Sequence, residues 1–327
     1  MALRRPAPPA ARDEPERRAE PVAPKVLRDY ALVADGVRGA LVGSEGEVAW
    51  LCFPTWSDPA VIAGLLGAGG VYQVRPRGRA VAEGRYDDGT LVWTSRWVTE
   101  DGVLDVRNVL ALPGDPRRAV LLRRVTAEGP PCVVDVALEL ASDYGRSAGG
   151  SWARTDEGSF VLDGPGWSAR LSGLPEAVAQ RSPAGGTQLA ATLEVRPGEP
   201  RDLVVELACG QLSAFPPVDV ATTWGTTERA WAGAVPACED TIAPRDARRA
   251  CAVLRAMTTS EGATIAAATT SLPEQDRADR NYDYRYAWVR DTCYVGQAGA
   301  AIVGGEAIMD DAVRWVSARL LDDGPAT

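Results

Sequence analysis

Residues 281–291 contain the side chains in this sequence that are best suited to chemistry: Asn-Tyr-Asp-Tyr-Arg-Tyr-Ala-Trp-Val-Arg-Asp. Aromatic residues occupy every second position from Tyr282 to Trp288. An extended chain would project all four to one side, and Arg290 would continue that face. Aromatic rings suit the apolar faces of pyranose sugars, and an arginine beside an acceptor such as Asp291 can bind two hydroxyls at once. The pattern is therefore compatible with a sugar-binding site.

The same spacing also has a structural explanation. Alternating aromatic side chains on a strand usually pack against a neighbouring layer. Asp291, just before a predicted helix, could simply be the N-cap of that helix. From the residues alone, both explanations stay open.

Composition narrows the chemistry that the chain can perform. It has no histidine, which excludes a Ser-His-Asp triad and a histidine-based zinc site. The only lysine, Lys25, lies beside the proline-rich N-terminus, so we expect no P-loop or Schiff-base lysine in a folded core. The net charge of −9 argues against nucleic acid as a partner. If the chain is an enzyme, carboxylates are the first candidates for proton transfer.

The cysteines and the N-terminus indicate where the protein works. Cysteines occur singly and without a Cys-x-x-Cys pair, which is typical of separate buried thiols in a reducing compartment. The N-terminus lacks the apolar segment of a secretory signal, and no apolar run approaches the ~20 residues of a membrane span. The sequence therefore predicts a cytoplasmic protein with no membrane partner. The cysteines are Cys52, Cys132, Cys209, Cys238, Cys251 and Cys293.

Four regions follow one another along the chain. Residues 1–25 are rich in proline and arginine and predict a disordered tail. Residues 26–218 contain short β-type runs separated by turn signals, which indicates an antiparallel sandwich. Residues 219–242 predict a linker helix, and residues 243–327 predict further helices at 245–258, 292–303 and 306–321. The predicted strands are 39–42, 48–52, 70–74, 90–98, 103–112, 119–126, 132–140, 159–162, 188–195 and 203–208.

Two motifs, one just before residues 281–291 and one that includes them, resemble the opening of the catalytic domain in bacterial glycoside hydrolase family 15, the glucoamylase and trehalase family. They are Ala268–Glu274 and Arg280–Asp291, and they depart mildly from the usual form at Ala268, Tyr282 and Ala287. Earlier segments are similar to the N-terminal part of the same family, so the resemblance extends from about residue 29 to 320. These segments are Asp29–Leu32, Gly46–Pro54, Gly69–Tyr72, Leu122–Arg124 and Asp143–Arg146.

The resemblance implies a multidomain β + α fold, in which an N-terminal antiparallel β super-sandwich is followed by the first helices of a truncated (α/α)6 barrel. It also implies an inverting hydrolase of α-glucosides such as maltooligosaccharides or trehalose, without a metal or organic cofactor. Arg290 and Asp291 would then hold sugar hydroxyls in the −1 subsite, which Tyr284 and Trp288 would line. Trp56 and Asp58 either lie on a loop that reaches this site or form only a structural turn.

The resemblance places the catalytic acid and base beyond residue 327. We therefore assign no catalytic residue in this chain, and neither Glu274 nor Glu306 is interpreted as the acid or the base. A complete barrel of twelve helices needs roughly 200 residues, and far fewer follow Ala243. The chain alone is then expected to be inactive, with exposed apolar helix faces that favour a homo-oligomer. Two alternatives remain at this stage: a non-catalytic carbohydrate-binding fragment and a purely structural β-sandwich module.

Overall fold

The computed structural model describes residues 24–100, 102–182, 185–270 and 282–323. The predicted tail up to residue 23 lies outside the described residues. So do residues 271–281, which include Glu274 and Arg280 of the family motifs. Strands dominate the described chain up to Cys209, and four α-helices follow from Val220. This order confirms the coarse prediction of antiparallel sheets followed by helices.

Strands in the described residues form two large antiparallel sheets and one small sheet. The strands are β1 (Tyr30–Ala34), β2 (Gly39–Gly43), β3 (Glu47–Cys52), β4 (Ala60–Ile62), β5 (Val71–Pro76), β6 (Ala80–Tyr86), β7 (Trp93–Thr99), β8 (Val103–Leu110), β9 (Arg118–Glu128), β10 (Cys132–Glu139), β11 (Ala141–Ser142), β12 (Ser147–Ala148), β13 (Ala153–Arg154), β14 (Phe160–Asp163), β15 (Trp167–Ser172), β16 (Val178–Arg181), β17 (Thr187–Val195) and β18 (Arg201–Cys209). The first sheet has the order β1-β2-β3-β5-β10-β17-β16, with β4 paired to β3. The second has the order β13-β14-β15-β18-β9-β8-β7-β6, and β11 pairs with β12.

The two large sheets share one apolar core. Side chains alternate in burial along β8 and β9, as expected for strands with one face in a core. Val42 and Val48 of the first sheet belong to the same cluster as Leu104 and Val106 of the second. We refer to this unit, residues 30–209, as the two-sheet domain.

Arg123 crosses this core and links the two sheets. Its guanidinium donates to the carbonyl oxygens of Gly46 (2.6 Å) and Tyr72 (3.1 Å) beside the first sheet. It also donates to Oδ1 of Asn108 (2.8 Å) in the second. Burial lowers the pKa of Arg123 to about 10. Since all three acceptors are buried with it, the charge is stabilised by hydrogen bonds instead of water.

Helix α1 (Val220–Ala234) packs on the outer face of the second sheet. It begins at Asp219, whose carboxylate accepts the N–H of Thr222 and caps the first turn. Trp224 is buried in the interface, and the guanidinium carbons of Arg107 and Arg124 lie 5.0 and 5.3 Å from its ring centre. The helix predicted as a linker therefore belongs to a second apolar core, which it shares with α2 (Pro244–Ala256).

Helices α3 (Val289–Ala300) and α4 (Glu306–Asp323) form a closely packed hairpin. Glycines at the contact allow this approach, because a Cβ at Gly299 would lie 2.9 Å from Cβ of Ile308. Arg255 of α2 donates to Asp311 of α4 (2.5 Å) and joins the hairpin to α2. No helix in the described part of the chain is long and apolar enough to cross a membrane.

Several sequence predictions are corrected by the structure. Helix α3 begins at Val289, three residues before the predicted start. The strands that were not predicted are β1, β4, β6, β11, β12, β13, β15 and β16. Strand β6 was missed because its side chains are nearly all exposed and show no apolar alternation. Strand β7 begins at Trp93 and not at Thr90, because the N–H of Asp87 donates to the carbonyl of Val92 (3.0 Å) and closes a turn.

The burial of two cysteines and the position of Lys25 also differ from the sequence predictions. Cys293 is exposed and Cys209 is only half-buried, so these two are not buried thiols. Cys293 is exposed because it lies on the solvent-facing side of α3. Lys25 is held against the two-sheet domain, since its ammonium lies 3.2 Å from Glu45 and 3.4 Å from Glu47.

Candidate functional site

The segment 282–288, which we call the aromatic segment, connects to α3 in a non-helical conformation. It pairs with residues 265–268: Ala267 donates its N–H to the carbonyl of Tyr284 (2.9 Å), and Ala266 donates to that of Tyr286 (3.0 Å). Residues 265–268 are in turn fixed to the first sheet, because the indole N–H of Trp50 donates to the carbonyl of Ala268 (3.0 Å). The aromatic segment is therefore tied to the two-sheet domain.

All four aromatic residues of this segment line one solvent-accessible pocket of about 500 Å³. The rings of Tyr282 and Tyr284 meet edge to face at 6.3 Å between centres. Tyr284 is the least exposed of the four at 38%, and Tyr286 the most exposed at 63%. Large aromatic side chains rarely stay this exposed together unless they form a recognition surface. The structure thus brings the predicted aromatics into one concave surface.

Arg285 projects the other way, into the two-sheet domain. Its side chain is only 7% exposed. Its guanidinium donates to the carbonyl oxygens of Trp56 and Asp58, both at 3.0 Å, and to the hydroxyl of Tyr144, also at 3.0 Å. The alternation that turns the aromatic rings outward turns this residue inward.

Asp283 completes the buried network from the same segment. Both of its carboxylate oxygens accept hydrogen bonds from Arg285, the shortest being 2.7 Å. These bonds lower the pKa of Asp283, so its carboxylate stays ionised at neutral pH. Burial acts to lower the pKa of Arg285, but its bonds to Asp283 and Tyr144 outweigh burial and raise it. The pair is therefore a fixed ion pair and not a proton donor.

The loop with Trp56 and Asp58 reaches the aromatic segment through its main chain. The carboxylate of Asp58 accepts the N–H (2.9 Å) and hydroxyl (2.6 Å) of Thr55, which closes a turn. The ring of Trp56 is buried in the second core. Both explanations for this loop hold in part: it is a structural turn, and its carbonyls hold the segment from behind.

Sequence reasoning missed Arg285 and Tyr144 as residues that shape the site. For Arg285 the available signal was its place between aromatics, which puts it on the opposite face of an extended chain. For Tyr144 it was the segment Asp143–Arg146, noted only for its family resemblance. Neither signal identified the partner, because Tyr144 and Arg285 are 141 positions apart.

Arg290 and Asp291 lie in the first turn of α3. Their side chains are 75% and 43% exposed, and Nε of Arg290 lies 3.4 Å from Oδ1 of Asp291. They follow the pocket directly in the chain but are not among its lining residues. The prediction that Arg290 continues the extended face is wrong, because helical geometry begins at Val289. The N-cap explanation for Asp291 is also wrong, since Trp288 holds that position.

The arrangement offers exposed aromatic rings for stacking, with a cation and an anion at the adjoining helix start. A carboxylate is favoured near a helix N-terminus, which suits the position of Asp291. Within the described residues, no group of three or more cysteine, aspartate or glutamate side chains could hold a metal ion.

Comparison with known proteins places this chain in a family. The family model described as "Trehalase-like, N-terminal" matches residues 20–230, and that of "Glycosyl hydrolases family 15" matches residues 249–319. A trehalase of Mycobacterium tuberculosis is 30% identical over 82% of this chain and 43% of its own length. Trehalase 1 of Sulfolobus acidocaldarius is 25% identical over 83% of this chain and 45% of its own. A bacterial glucoamylase solved with acarbose has the same fold, with a TM-score of 0.58 and 12% identity over 90% of this chain and 50% of that one.

These matches relate the chain to trehalases. The chain belongs to glycoside hydrolase family 15 and carries its trehalase-like N-terminal domain. The chain spans less than half the length of the curated relatives named above.

Proposed function

We propose that this chain supplies the two-sheet domain and part of the sugar-binding site of an inverting α-glucoside hydrolase. One observation carries the proposal: the exposed aromatics of residues 282–288 gather at one pocket directly before Arg290 and Asp291. In the proposed complex, Tyr284 and Trp288 pack against the −1 sugar. Arg290 and Asp291 bind its hydroxyls as donor and acceptor.

Trehalose is the first substrate to expect. The relatives that cover most of this chain are named trehalases, and the model for the N-terminal domain is described as trehalase-like. Maltooligosaccharides are the second candidate. They rest on likeness to glucoamylase, which at 12% identity concerns the fold alone.

We further propose that the catalytic acid and base come from residues outside these 327. Inverting hydrolysis needs a carboxylic acid and a carboxylate about 6.5–9.5 Å apart across the sugar. Asp283, the carboxylate in the pocket lining, is unsuited to the acid role because its bonds to Arg285 lower its pKa. The chain alone would then bind a glucoside without hydrolysing it. A cytoplasmic location is supported by six cysteines that are all free thiols.

The test compares glucose release from trehalose, maltose and maltotriose by two proteins. One is the 327-residue chain, and the other is the complete product of its gene. Hydrolysis of trehalose by the complete product alone is the expected result. Hydrolysis by the short chain would contradict our placement of the acid and base.

A non-catalytic carbohydrate-binding protein is the second candidate, and the exposed pocket aromatics favour it over a purely structural module. It would bind glucose or trehalose but release no glucose in either form. Titration of the tryptophan fluorescence with trehalose, on the chain and on a Trp288→Ala variant, separates these cases. No response in either protein would support the structural module.

A further inference from the structure

Two of the six free thiols contact each other within the helical part of the chain. Cys238 lies in the connection between α1 and α2, and Cys251 lies within α2. Their sulfur atoms are 3.9 Å apart, and each residue is 1% exposed. The site therefore holds two thiols in direct contact and sealed from solvent.

The surroundings of the pair are mostly apolar. Cys238 Sγ lies 3.3 Å from the carbonyl oxygen of Pro236, and both cysteines belong to one apolar cluster with Ile308 of α4. Cys238 has φ +57°, in the left-handed region that non-glycine residues seldom adopt. That backbone conformation accompanies a side chain directed at Cys251. Two thiols can also pack as small apolar side chains, and the experiment below separates that explanation from a reactive pair.

We propose that Cys238 and Cys251 are a thiol modification site that forms a reversible disulfide when a peroxide reaches it. Hydrogen peroxide would oxidise one thiol to a sulfenic acid and release one water. The second thiol then attacks that sulfur, forms the S–S bond and releases another water. Two electrons and two protons pass from the thiols to the peroxide, which balances the reaction. This inference does not depend on the proposed glucosidase function.

The disulfide would fix the connection between α1 and α2. It closes a ring from Cys238 to Cys251, and the connection inside that ring also contacts the turn between α3 and α4. There Asp240 accepts the N–H of Val303 at 3.3 Å. Oxidation should therefore stiffen the packing of the α1–α2 connection against α2 and against the turn between α3 and α4. Burial raises the pKa of Cys251 to about 11, so oxidation should be slow at neutral pH and faster in alkaline buffer.

The experiment uses the whole 327-residue chain with Cys293→Ser, which removes the exposed thiol. The protein is treated with hydrogen peroxide in mildly alkaline buffer, unfolded, alkylated and digested with trypsin. Mass spectrometry then looks for residues 230–245 joined to residues 250–255, with the loss of two hydrogens. The expected result is this linked peptide, its reversal by dithiothreitol, and a melting temperature about 5 °C higher in the oxidised protein.

Cys132→Ser is the matched control, since Cys132 is buried in the two-sheet domain away from the pair. It should leave the linked peptide unchanged, whereas Cys238→Ser should abolish it. Recovery of both peptides with separately alkylated thiols would overturn the proposal. So would oxidation to sulfinic acid, or a link to a different cysteine. If a variant fails to fold, the peptide map of the Cys293→Ser protein still shows whether the Cys238–Cys251 disulfide forms.

Discussion

Arg285 and Arg290 lie five positions apart in the same motif but in opposite environments. Arg285 is nearly buried, and its hydrogen bonds hold the aromatic segment to the two-sheet domain. Arg290 is largely exposed at the start of α3, and its described contact is with Asp291. At the scale of the residue, one arginine should therefore matter mainly for stability and the other mainly for activity.

Replacing Arg290 with alanine should leave folding nearly unchanged and impair catalysis. In a protein that also carries the proposed catalytic acid and base, Arg290→Ala removes a charge-assisted donor to the reacting sugar, so kcat/KM for trehalose should fall more than a hundredfold, about 3 kcal/mol. Steady-state kinetics measure the fall. Arg28→Ala, at an exposed position just before the two-sheet domain, serves as control and should keep full activity. Unchanged kcat/KM in Arg290→Ala would contradict the sugar-binding role.

Replacing Arg285 with alanine should show the reverse pattern in the isolated chain. The carboxylate of Asp283 and the carbonyls of Trp56 and Asp58 lose their donor, which should lower the free energy of unfolding by about 3 kcal/mol. Urea unfolding followed by tryptophan fluorescence measures this loss. Arg290→Ala is the control, because it makes the same substitution at an exposed position. A loss below about 1 kcal/mol would mean that water replaces the bonds.

The ion pair between Asp283 and Arg285 should make stability depend on pH in the acid range. The pKa of Asp283 is lower in the folded protein than its ordinary value near 4, so its contribution is fully present above about pH 5. The contribution is lost as the pH falls through the lowered pKa. Asp283→Asn should therefore flatten part of the decline in melting temperature below about pH 4. Identical pH curves for both proteins would argue against the pair.

At the scale of the element, the hairpin of α3 and α4 depends on glycines where the helices touch. A Cβ at Gly299 would lie 2.9 Å from the carbonyl oxygen of Gly305 and from Cβ of Ile308. Since Gly305 and Ile308 lie at the start of α4 or beside it, the neighbouring helix would have to move. The same hairpin carries Arg290 and Asp291 at its beginning, so its geometry sets their position.

Gly299→Ala should destabilise the chain by about 1–3 kcal/mol through overpacking. Gly233→Ala is the matched control, because Gly233 also lies in a helix but has no atom within 4 Å of an added Cβ. There alanine should stabilise by about 0.5–1 kcal/mol through its higher helix propensity. Thermal unfolding by circular dichroism compares the two. Equal shifts of the same sign would show that helix propensity, and not packing, governs both sites.

At the scale of the whole molecule, exposed large apolar side chains concentrate in the helical part. The two-sheet domain buries its apolar residues in shared cores, whereas α3, α4 and the aromatic segment leave many exposed. The exposed ones in the helical part are Ile242, Tyr282, Tyr284, Tyr286, Trp288, Val289, Tyr294, Val303, Val313, Leu320 and Leu321. Such a surface favours association when nothing covers it.

The isolated chain should therefore self-associate at micromolar concentrations. Sedimentation velocity across a dilution series should show species larger than a monomer that dissociate on dilution. The double variant Leu320→Gln and Leu321→Gln should weaken association, because these side chains are 63% and 81% exposed on α4. Val133→Thr, on an exposed position of β10, is the control and should behave like the parent. A monomer at every concentration would contradict this prediction.

The amino-acid sequence was sufficient to predict the order of the elements and the chemistry available to the chain. Turn residues and periodicity are local properties, so they predicted strands before helices and located the starts of four helices to within three residues. Residue types alone excluded histidine chemistry. The motifs identified the family before any geometry was known, and the alternation of aromatics correctly indicated one shared face.

The contacts that hold the aromatic segment in place follow from the tertiary fold. Arg285 finds its acceptors on residues 56, 58 and 144, at least 141 positions earlier in the chain, and no local pattern encodes such pairs. Helix α3 begins at Val289 and thereby separates Arg290 from the extended face. The contact between Cys238 and Cys251 likewise arises because a loop and a helix meet in a shared apolar cluster. Local sequence sets which side chains point together, while long-range packing sets which of them are buried, paired and held in place.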